Sequence, residues 1–278
     1  MATRTAAVRH RQPARDLGRR AAADIRFRNG VWSPTAAERG VGGLGAAMAA
    51  RNGTDPRGFW DAAATEDAIW YVATGASGEE AFFALGAEET DFFLRLCGIP
   101  LSSSAVVVEI GCGPGRMTAR FAQLAGRVVA TDVSGEMLER CRKSLSGRDN
   151  VDYVLLPGDG ELTGIPDGSA DVVFSYITLQ HVPDAQAQLR YLAESARVLR
   201  PGGRAAIQVR ATGWRAVAHD WAGHLAHFAA GRRTLRVEWR GSRLTRADIL
   251  RTVEAAGATA ELIPHGHRHL WVALRKLP

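Results

Sequence analysis

Through the middle of the chain, short β-branched runs alternate with helix-like stretches, and this pattern sets the expected fold. SAVVVEI (104–110), RVVATD (127–132), VDYVLL (151–156), ADVVFSY (170–176) and GGRAAIQVR (202–210) read as strands. Residues 115–125, 134–146 and 184–199 read as the helices between them. Such alternation predicts a mostly parallel sheet covered on both faces. The ending differs. A helix over 245–256 leads to two more strands, ATAELI (258–263) and HLWVALRK (269–276). The PHGHR link between them is too short for a crossover, so the last strand should run antiparallel. His265, His267 and His269 cluster around that link and are expected to face solvent.

Outside this core the pattern weakens. Residues 1–55 hold no sustained apolar period and are punctuated by GVGGLG (40–45) and NGTDPRG (52–58). Order is expected from about Phe59 and Trp60 onward. EEAFFALGAEETDFFLRLC (79–97) reads as a helix with Phe82, Leu85, Phe92, Phe93 and Leu96 on its apolar face. The division is thus a tail (1–55), a helical N-terminal extension or lid (56–100) and a main domain (101–278). An insertion at about 211–244 interrupts that domain, and long inserts of this kind often cover active sites.

Composition adds two constraints. The net charge is +6, but many basic residues precede position 30, where an Ala/Arg-rich stretch has the composition of a disordered tail. A transit peptide or a polyanion-binding arm has similar composition. No apolar run reaches the roughly 20 residues of a membrane span. No signal-peptide pattern opens the chain, and the three cysteines form no CxxC pair. The expectation is a cytoplasmic protein without a zinc knuckle, a disulfide framework or a membrane partner. The Ala, Arg and Gly content hints at a GC-rich bacterial source and secondary metabolism. Oligomeric state is not legible, and a homodimer is compatible.

The chemistry concentrates where the first strand runs into Glu109-Ile-Gly-Cys-Gly-Pro-Gly-Arg116. Gly111, Gly113 and Gly115 permit a tight turn that a ligand can approach. The spacing is GxGxG and differs from the dinucleotide GxGxxG, whose third glycine is replaced by Arg116. Glu109 would repel a pyrophosphate and suits a cationic ligand. Asp132 ends the second strand, where a carboxylate can accept ribose hydroxyls, and Asp159 follows the third. Asp171 opens a strand away from the ligand edge and reads as structural, Arg116 as packing or capping, and Cys112 as a small filler.

Taken together, VVVEIGCGPGRMT, VVATDVSGEML, PGDGELTGIPDGSADVVFSYITLQHVPD and ARVLRPGGR resemble the class I S-adenosylmethionine-dependent methyltransferases of the small-molecule branch, over residues 104–210. The resemblance implies a Rossmann-like α/β fold with a seven-stranded sheet. It implies S-adenosyl-L-methionine as cofactor and S-adenosyl-L-homocysteine as product. By it, Glu109, Gly111, Gly113 and Gly115 surround the methionine part, and Asp132 and Val133 take the ribose side. Asp159 and Gly160 contact the adenine, and Ser175 and Tyr176 line the floor near the methyl group.

Methyl transfer from a sulfonium is an in-line displacement, so the protein chiefly aligns the acceptor and excludes water. A neutral acceptor also needs a base, and His181 in LQHVPD is the candidate, with helix capping or packing as its alternative. Trp60 and Tyr71 upstream, and His219 and His224 in the insertion, are candidate lid or substrate residues. No acidic partner sits at metalloprotease spacing from these histidines, so no metal is expected. The expected activity is O- or N-methylation of a small molecule. A nucleic-acid methyltransferase fits less well, since SYITLQHVPD lacks an Asn/Asp-Pro-Pro-aromatic motif and no Pro-Cys dipeptide occurs. A non-catalytic cofactor-binding regulator remains compatible, and the GxGxG spacing argues against a nicotinamide oxidoreductase.

Overall fold

A computed structural model describes residues 56–73, 76, 78–210, 242–265 and 269–278. The basic segment 1–55, most of the expected insertion with His219 and His224 (211–241), and His267 lie outside the described residues.

Two helices, α1 (Pro56–Val72) and α2 (Glu79–Leu96), precede the sheet. Then follow β1 (Val106–Ile110), α3 (Thr118–Leu124), β2 (Arg127–Asp132), α4 (Gly135–Ser144), β3 (Val151–Leu155) and β4 (Ala170–Ser175). After a single 3-10 turn (Leu179–His181) come α5 (Ala185–Val198), β5 (Leu199–Arg210), α6 (Arg246–Ala255), β6 (Ala258–His265) and β7 (His269–Lys276). The seven strands form one sheet in the order β3-β2-β1-β4-β5-β7-β6. β1 to β5 run parallel, and β7 runs antiparallel to both β5 and β6. The chain order reverses between β1 and β4, which is where open α/β sheets hold ligands beyond their carboxyl ends.

Successive residues of a strand face opposite sides, and the central strands have an apolar layer on each. Val107, Val172 and Phe174 pack with Phe93, Phe121 and Trp271 under α2 and α3. Val108, Val173 and Ile207 pack with Tyr191, Leu192, Ile249 and Val253 under α5 and α6. Side chains set the helix starts. Ser134 Oγ accepts from Met137 N at 3.0 Å, and the Asp184 carboxylate accepts from Gln186 N and Ala187 N at 2.9 and 3.2 Å. Asp171 is structural, as its position suggested: it accepts from Val106 N at 2.8 Å and pairs with Arg200.

Two strands run beyond their expected ends. β5 begins at Leu199, which pairs with Ala170 before the Pro-Gly-Gly bend; the register then shifts to join Arg204 with Val172. β6 runs on to His265, because Pro264 and His265 continue the ladder opposite Leu270 and His269. A proline is tolerated there because β6 is an edge strand. His265 is therefore half-buried against Phe93 and Trp271, which corrects the expectation of solvent exposure. Where the described chain resumes, Ser242 N donates to Val182 O at 3.2 Å and Leu244 N to Arg210 O at 3.0 Å.

Gly86, in the middle of α2, is where α2 meets the glycine-loop region. A Cβ there would lie 2.3 Å from Arg116 O and 2.6 Å from its Cγ. Ala normally stabilises a helix interior by about 1 kcal/mol over Gly. Gly86→Ala should instead destabilise the protein by about 1–3 kcal/mol, the usual cost of overpacking, measured by urea denaturation.

Candidate active site

The loop after β1 is suspended from the end of β2. Gly111 N and Cys112 N both donate to Thr131 O, at 2.8 and 2.9 Å, and Gly113 N donates to Asp132 Oδ2 at 2.9 Å. Gly111 has φ of 74°, and a Cβ on it would sit 2.2 Å from the Thr178 side chain. Only glycine lets the loop lie this close to the segment after β4. Gly115, at φ of 96°, packs the loop against Cys141 of α4. Regular helix begins only at Thr118, three residues later than expected, because 113–117 form turns. Cys112 is a buried filler beside Ala130, Leu138 and Cys141, as expected.

A cleft of about 900 Å³ opens at these strand ends. Its lining includes Gly111, Gly113, Asp132, Val133, Tyr176 and His181 from the expected set, with Trp60 and Tyr71 from α1. Asp132 is the one carboxylate in that lining. Its Oδ2 accepts from Gly113 N and its Oδ1 from Ser134 N, both at 2.9 Å. Burial nevertheless pushes its carboxyl up to about 6 against those hydrogen bonds.

Five of the expected cofactor residues stand outside the lining: Glu109, Gly115, Asp159, Gly160 and Ser175. Glu109 is buried behind the loop and accepts from Thr118 Oγ1 at 2.7 Å. Burial outweighs that bond and the Arg116 charge, pushing its carboxyl up to about 8. Ser175 turns its hydroxyl back to Ile110 O at 3.0 Å and ties β4 to β1. Gly160 is pressed against α5, where a Cβ would meet Ala187 O at 2.4 Å. Asp159 is exposed on the loop after β3; its Oδ1 accepts from Glu161 N at 3.0 Å, and its backbone oxygen accepts from Arg190 Nε at 2.6 Å.

α1 spans the cleft. Arg57 donates to Val133 O at 3.1 Å and to Leu156 O at 3.2 Å. Asp61 Oδ1 accepts from Ser134 Oγ at 2.5 Å and from Glu136 N at 3.3 Å. On the other side, the Trp60 ring meets His181 edge-on, with centroids 5.5 Å apart. His181 Nε2 lies 3.0 Å from Gln180 Nε2. An amide nitrogen only donates, so this Nε2 accepts and the ring proton sits on Nδ1.

The floor past β4 contains groups that the sequence did not reveal. Tyr176 OH donates to Glu89 Oε1 at 3.2 Å, and Glu89 also pairs with the buried Arg116. Arg116 Nε is buried without a hydrogen-bond partner. Burial, together with the Glu89 charge, raises the Tyr176 phenol far above its ordinary range, so it stays protonated. The pairing of Glu89 on α2 with Arg116 had no sequence signal, since 27 residues separate them. Among the described residues no group of His, Cys, Asp and Glu could hold a metal ion, and no helix is long and apolar enough to cross a membrane.

Comparison with known proteins agrees with this geometry. Residues 108–207 match the family described as a methyltransferase domain. The trans-aconitate 2-methyltransferase of Azoarcus sp. is 36% identical over 117 residues, covering 41% of this chain and 42% of that protein. The 27-O-demethylrifamycin SV methyltransferase of Amycolatopsis mediterranei is 37% identical over 117 residues, with the same two coverages of 41% and 42%. The chain spans between 28% and 53% of the length of such curated relatives. Among solved structures, the magnesium protoporphyrin IX methyltransferase of Synechocystis, with bound S-adenosylhomocysteine, superposes with a TM-score of 0.56 at 15% identity. It covers 79% of this chain and 97% of that one. A [4+2]-cyclase, SpnF, superposes at 0.50 and 15% identity, over 69% of this chain and 80% of that one. At these identities the likeness is one of fold. Over residues 108–207 the chain is thus similar to methyltransferase domains.

The raised carboxyl of Glu109 makes a pH prediction. Its folded state binds the proton more tightly than the unfolded chain, whose carboxyl titrates near 4.5. The stability this contributes is complete below pH 4.5 and is lost as pH rises through about 8. Glu109→Gln should flatten the fall in Tm between pH 5 and 9; identical slopes in both proteins would contradict the buried neutral acid.

Proposed function

We propose that this protein transfers the methyl group of S-adenosylmethionine to an oxygen or nitrogen of a small molecule. The observation that carries the reading is one cleft in which the glycine loop, Asp132 and His181 meet beneath an aromatic helix. The residues fit the cofactor. Gly113 opens backbone to the cleft, with nothing nearer than Val72 at 3.5 Å to a Cβ there. Each Asp132 oxygen already accepts one backbone N–H and keeps lone-pair capacity for ribose hydroxyls. Val133, Leu156 and Gly158 line the cleft on the side we assign to adenine, with the exposed Asp159 next along the chain.

When bound, S-adenosylmethionine supplies a methyl carbon activated by a sulfonium. The chain's own work is alignment, dehydration and one proton transfer. Trp60 and Tyr71 cover the cleft from α1 and exclude water. His181, lining the cleft beside Trp60, takes the acceptor's proton at Nε2 once the Gln180 amide has released that nitrogen's lone pair. Tyr176 stays a neutral phenol donating to Glu89 and does not act as base. The covered cleft favours a small acceptor over a nucleic-acid strand. The alternative is a cofactor-binding role without methyl transfer; one protein of similar fold is named a [4+2]-cyclase, so the fold alone does not require methyl transfer.

Asp132→Ala should weaken S-adenosylhomocysteine binding roughly 10- to 100-fold by titration calorimetry, since hydrogen bonds to a charged group are worth about 1.5–3 kcal/mol. With an acceptor found by methyl-transfer mass shift, His181→Asn should lower kcat about 100- to 10,000-fold while leaving S-adenosylhomocysteine affinity within a few-fold. An unchanged kcat would assign His181 to packing beneath Trp60.

A further inference from the structure

Among the described residues, one non-glycine residue has a left-handed backbone: Ile177, at φ of 55°. It lines the cleft directly after Tyr176. A β-branched residue in that region carries strain of about 1–3 kcal/mol and persists only where its surroundings hold it. The nearest restraint is Gln208 on β5, whose Oε1 accepts from Ile177 N at 3.3 Å. Gln208 is buried, and its Nε2 lies 2.9 Å from Nδ1 of His265, at the end of β6.

The hydrogen-bond roles in this chain are forced. The Ile177 N–H can only donate, so it takes the amide oxygen of Gln208. The amide nitrogen then faces His265 and can only donate, so Nδ1 accepts and the proton of a neutral ring sits on Nε2. The same cluster holds the neighbouring side chain. The His265 ring packs on Phe93 and Trp271, and Trp271 stacks on Tyr176 at 5.6 Å with planes 15° apart.

We propose that Gln208 and neutral His265 are positioning residues for the acceptor-side wall of the cleft, holding the left-handed bend at Ile177 from behind the sheet. What this wall serves rests on the methyl-transfer reading; the restraint itself does not. Protonating His265 would place Nδ1–H against the Gln208 amide nitrogen, donor against donor. Turning the amide over would present its NH2 to the Ile177 N–H instead, so one of the two bonds is lost either way. Charged and titratable side chains on the surrounding elements include Glu89 on α2, Tyr176 after β4, Arg210 on β5, Glu261 on β6, and His269 and Arg275 on β7. Burial, however, is the cause that lowers the His265 pKa below its usual 6.5. At neutral pH the ring is therefore the acceptor that the chain requires, and the bend loosens only in acid.

NMR on the full chain tests this without an acceptor. The ¹⁵N shifts of His265 should report the Nε2–H form, and the Ile177 amide resonance should move with the titration of His265, with a midpoint below pH 6.5. In His265→Asn the amide oxygen accepts from Gln208 at every pH, so the Ile177 resonance should keep its neutral position and lose its acid shift. Gln208→Leu should speed exchange of the Ile177 amide about tenfold, as the loss of one hydrogen bond implies. An Ile177 amide indifferent to both pH and Gln208→Leu, or a proton on Nδ1 of neutral His265, would overturn the proposal. Should Gln208→Leu not fold, the titration of the unaltered protein against His265→Asn is decisive alone: an acid shift that persists in His265→Asn overturns the proposal. Calorimetry with S-adenosylhomocysteine on the same samples separates the two readings. Binding without the coupled shift overturns the positioning role and leaves methyl transfer standing. The coupled shift without binding supports the positioning role and removes methyl transfer.

Discussion

The site depends on how the end of β2 holds the loop that follows β1. Thr131 O accepts two loop N–H groups, Asp132 accepts a third, and Thr131 Oγ1 donates to Glu109 O at 2.8 Å. In a parallel sheet the backbone leaving each strand end has no ladder partner, and those groups must be satisfied elsewhere. Here the neighbouring strand satisfies them, and the loop is drawn flat across the sheet's carboxyl edge. Its glycines follow from that closeness: side chains at 111 and 115 would strike Thr178 and Cys141. Burial of Asp132 works against its ionised form, as its raised carboxyl records, and the backbone N–H groups of Gly113 and Ser134 offset that cost.

The same junction receives α1. Arg57 reads the carbonyls of Val133 and Leu156, one residue past β2 and β3, while Asp61 reaches Ser134 at the start of α4. The apolar contact beneath is built on buried Ala63, Ala64, Ala68 and Met137, with Phe59, Trp60, Tyr71 and Val72 only partly buried around it. A helix whose large side chains stay partly exposed has lower local stability than the sheet behind it. That is the character a cover needs if a cofactor is to pass beneath it. Asp67, at φ −163° and ψ 87°, interrupts the helix within this contact, so Trp60 lies before the break and Tyr71 after it.

The sheet was legible because parallel strands buried on both faces leave apolar runs that alternate with helices, and the turns and caps that bound them are local. The glycine loop and Asp132 were legible for the same reason: a backbone-built site is fixed by short-range geometry. Glu109 was recognised as special, but its burial was not, since its depth depends on Thr118 and Arg116 arriving from beyond the loop. Ser175 was expected on the floor, and only the β1–β4 pairing reveals that its hydroxyl closes back on Ile110. Arg57, Glu89, Gln208 and His265 left no signal, because each acts through a partner at least 27 residues distant. His265 was misread for a specific reason: the ladder with β7 continues through Pro264, a residue that sequence patterns treat as a strand breaker.

The two halves of the cleft are therefore different kinds of construction. The half at the ends of β1 and β2 is made of backbone and one carboxylate, and it tolerates little variation without losing the loop. The opposite half is made of side chains from α1, the segment after β4, and the second row formed by Trp271, Gln208 and His265. Side chains can be exchanged without disturbing the sheet, so this half can differ while the first is kept. That asymmetry is consistent with likeness to relatives of quite different names over stretches of about 100–135 residues, and with a family match that spans 108–207. On the proposed methyl-transfer reading, acceptor selectivity is to be sought in the bend at Ile177 and in what holds it, where the chain sustains a left-handed β-branched residue against its own preference.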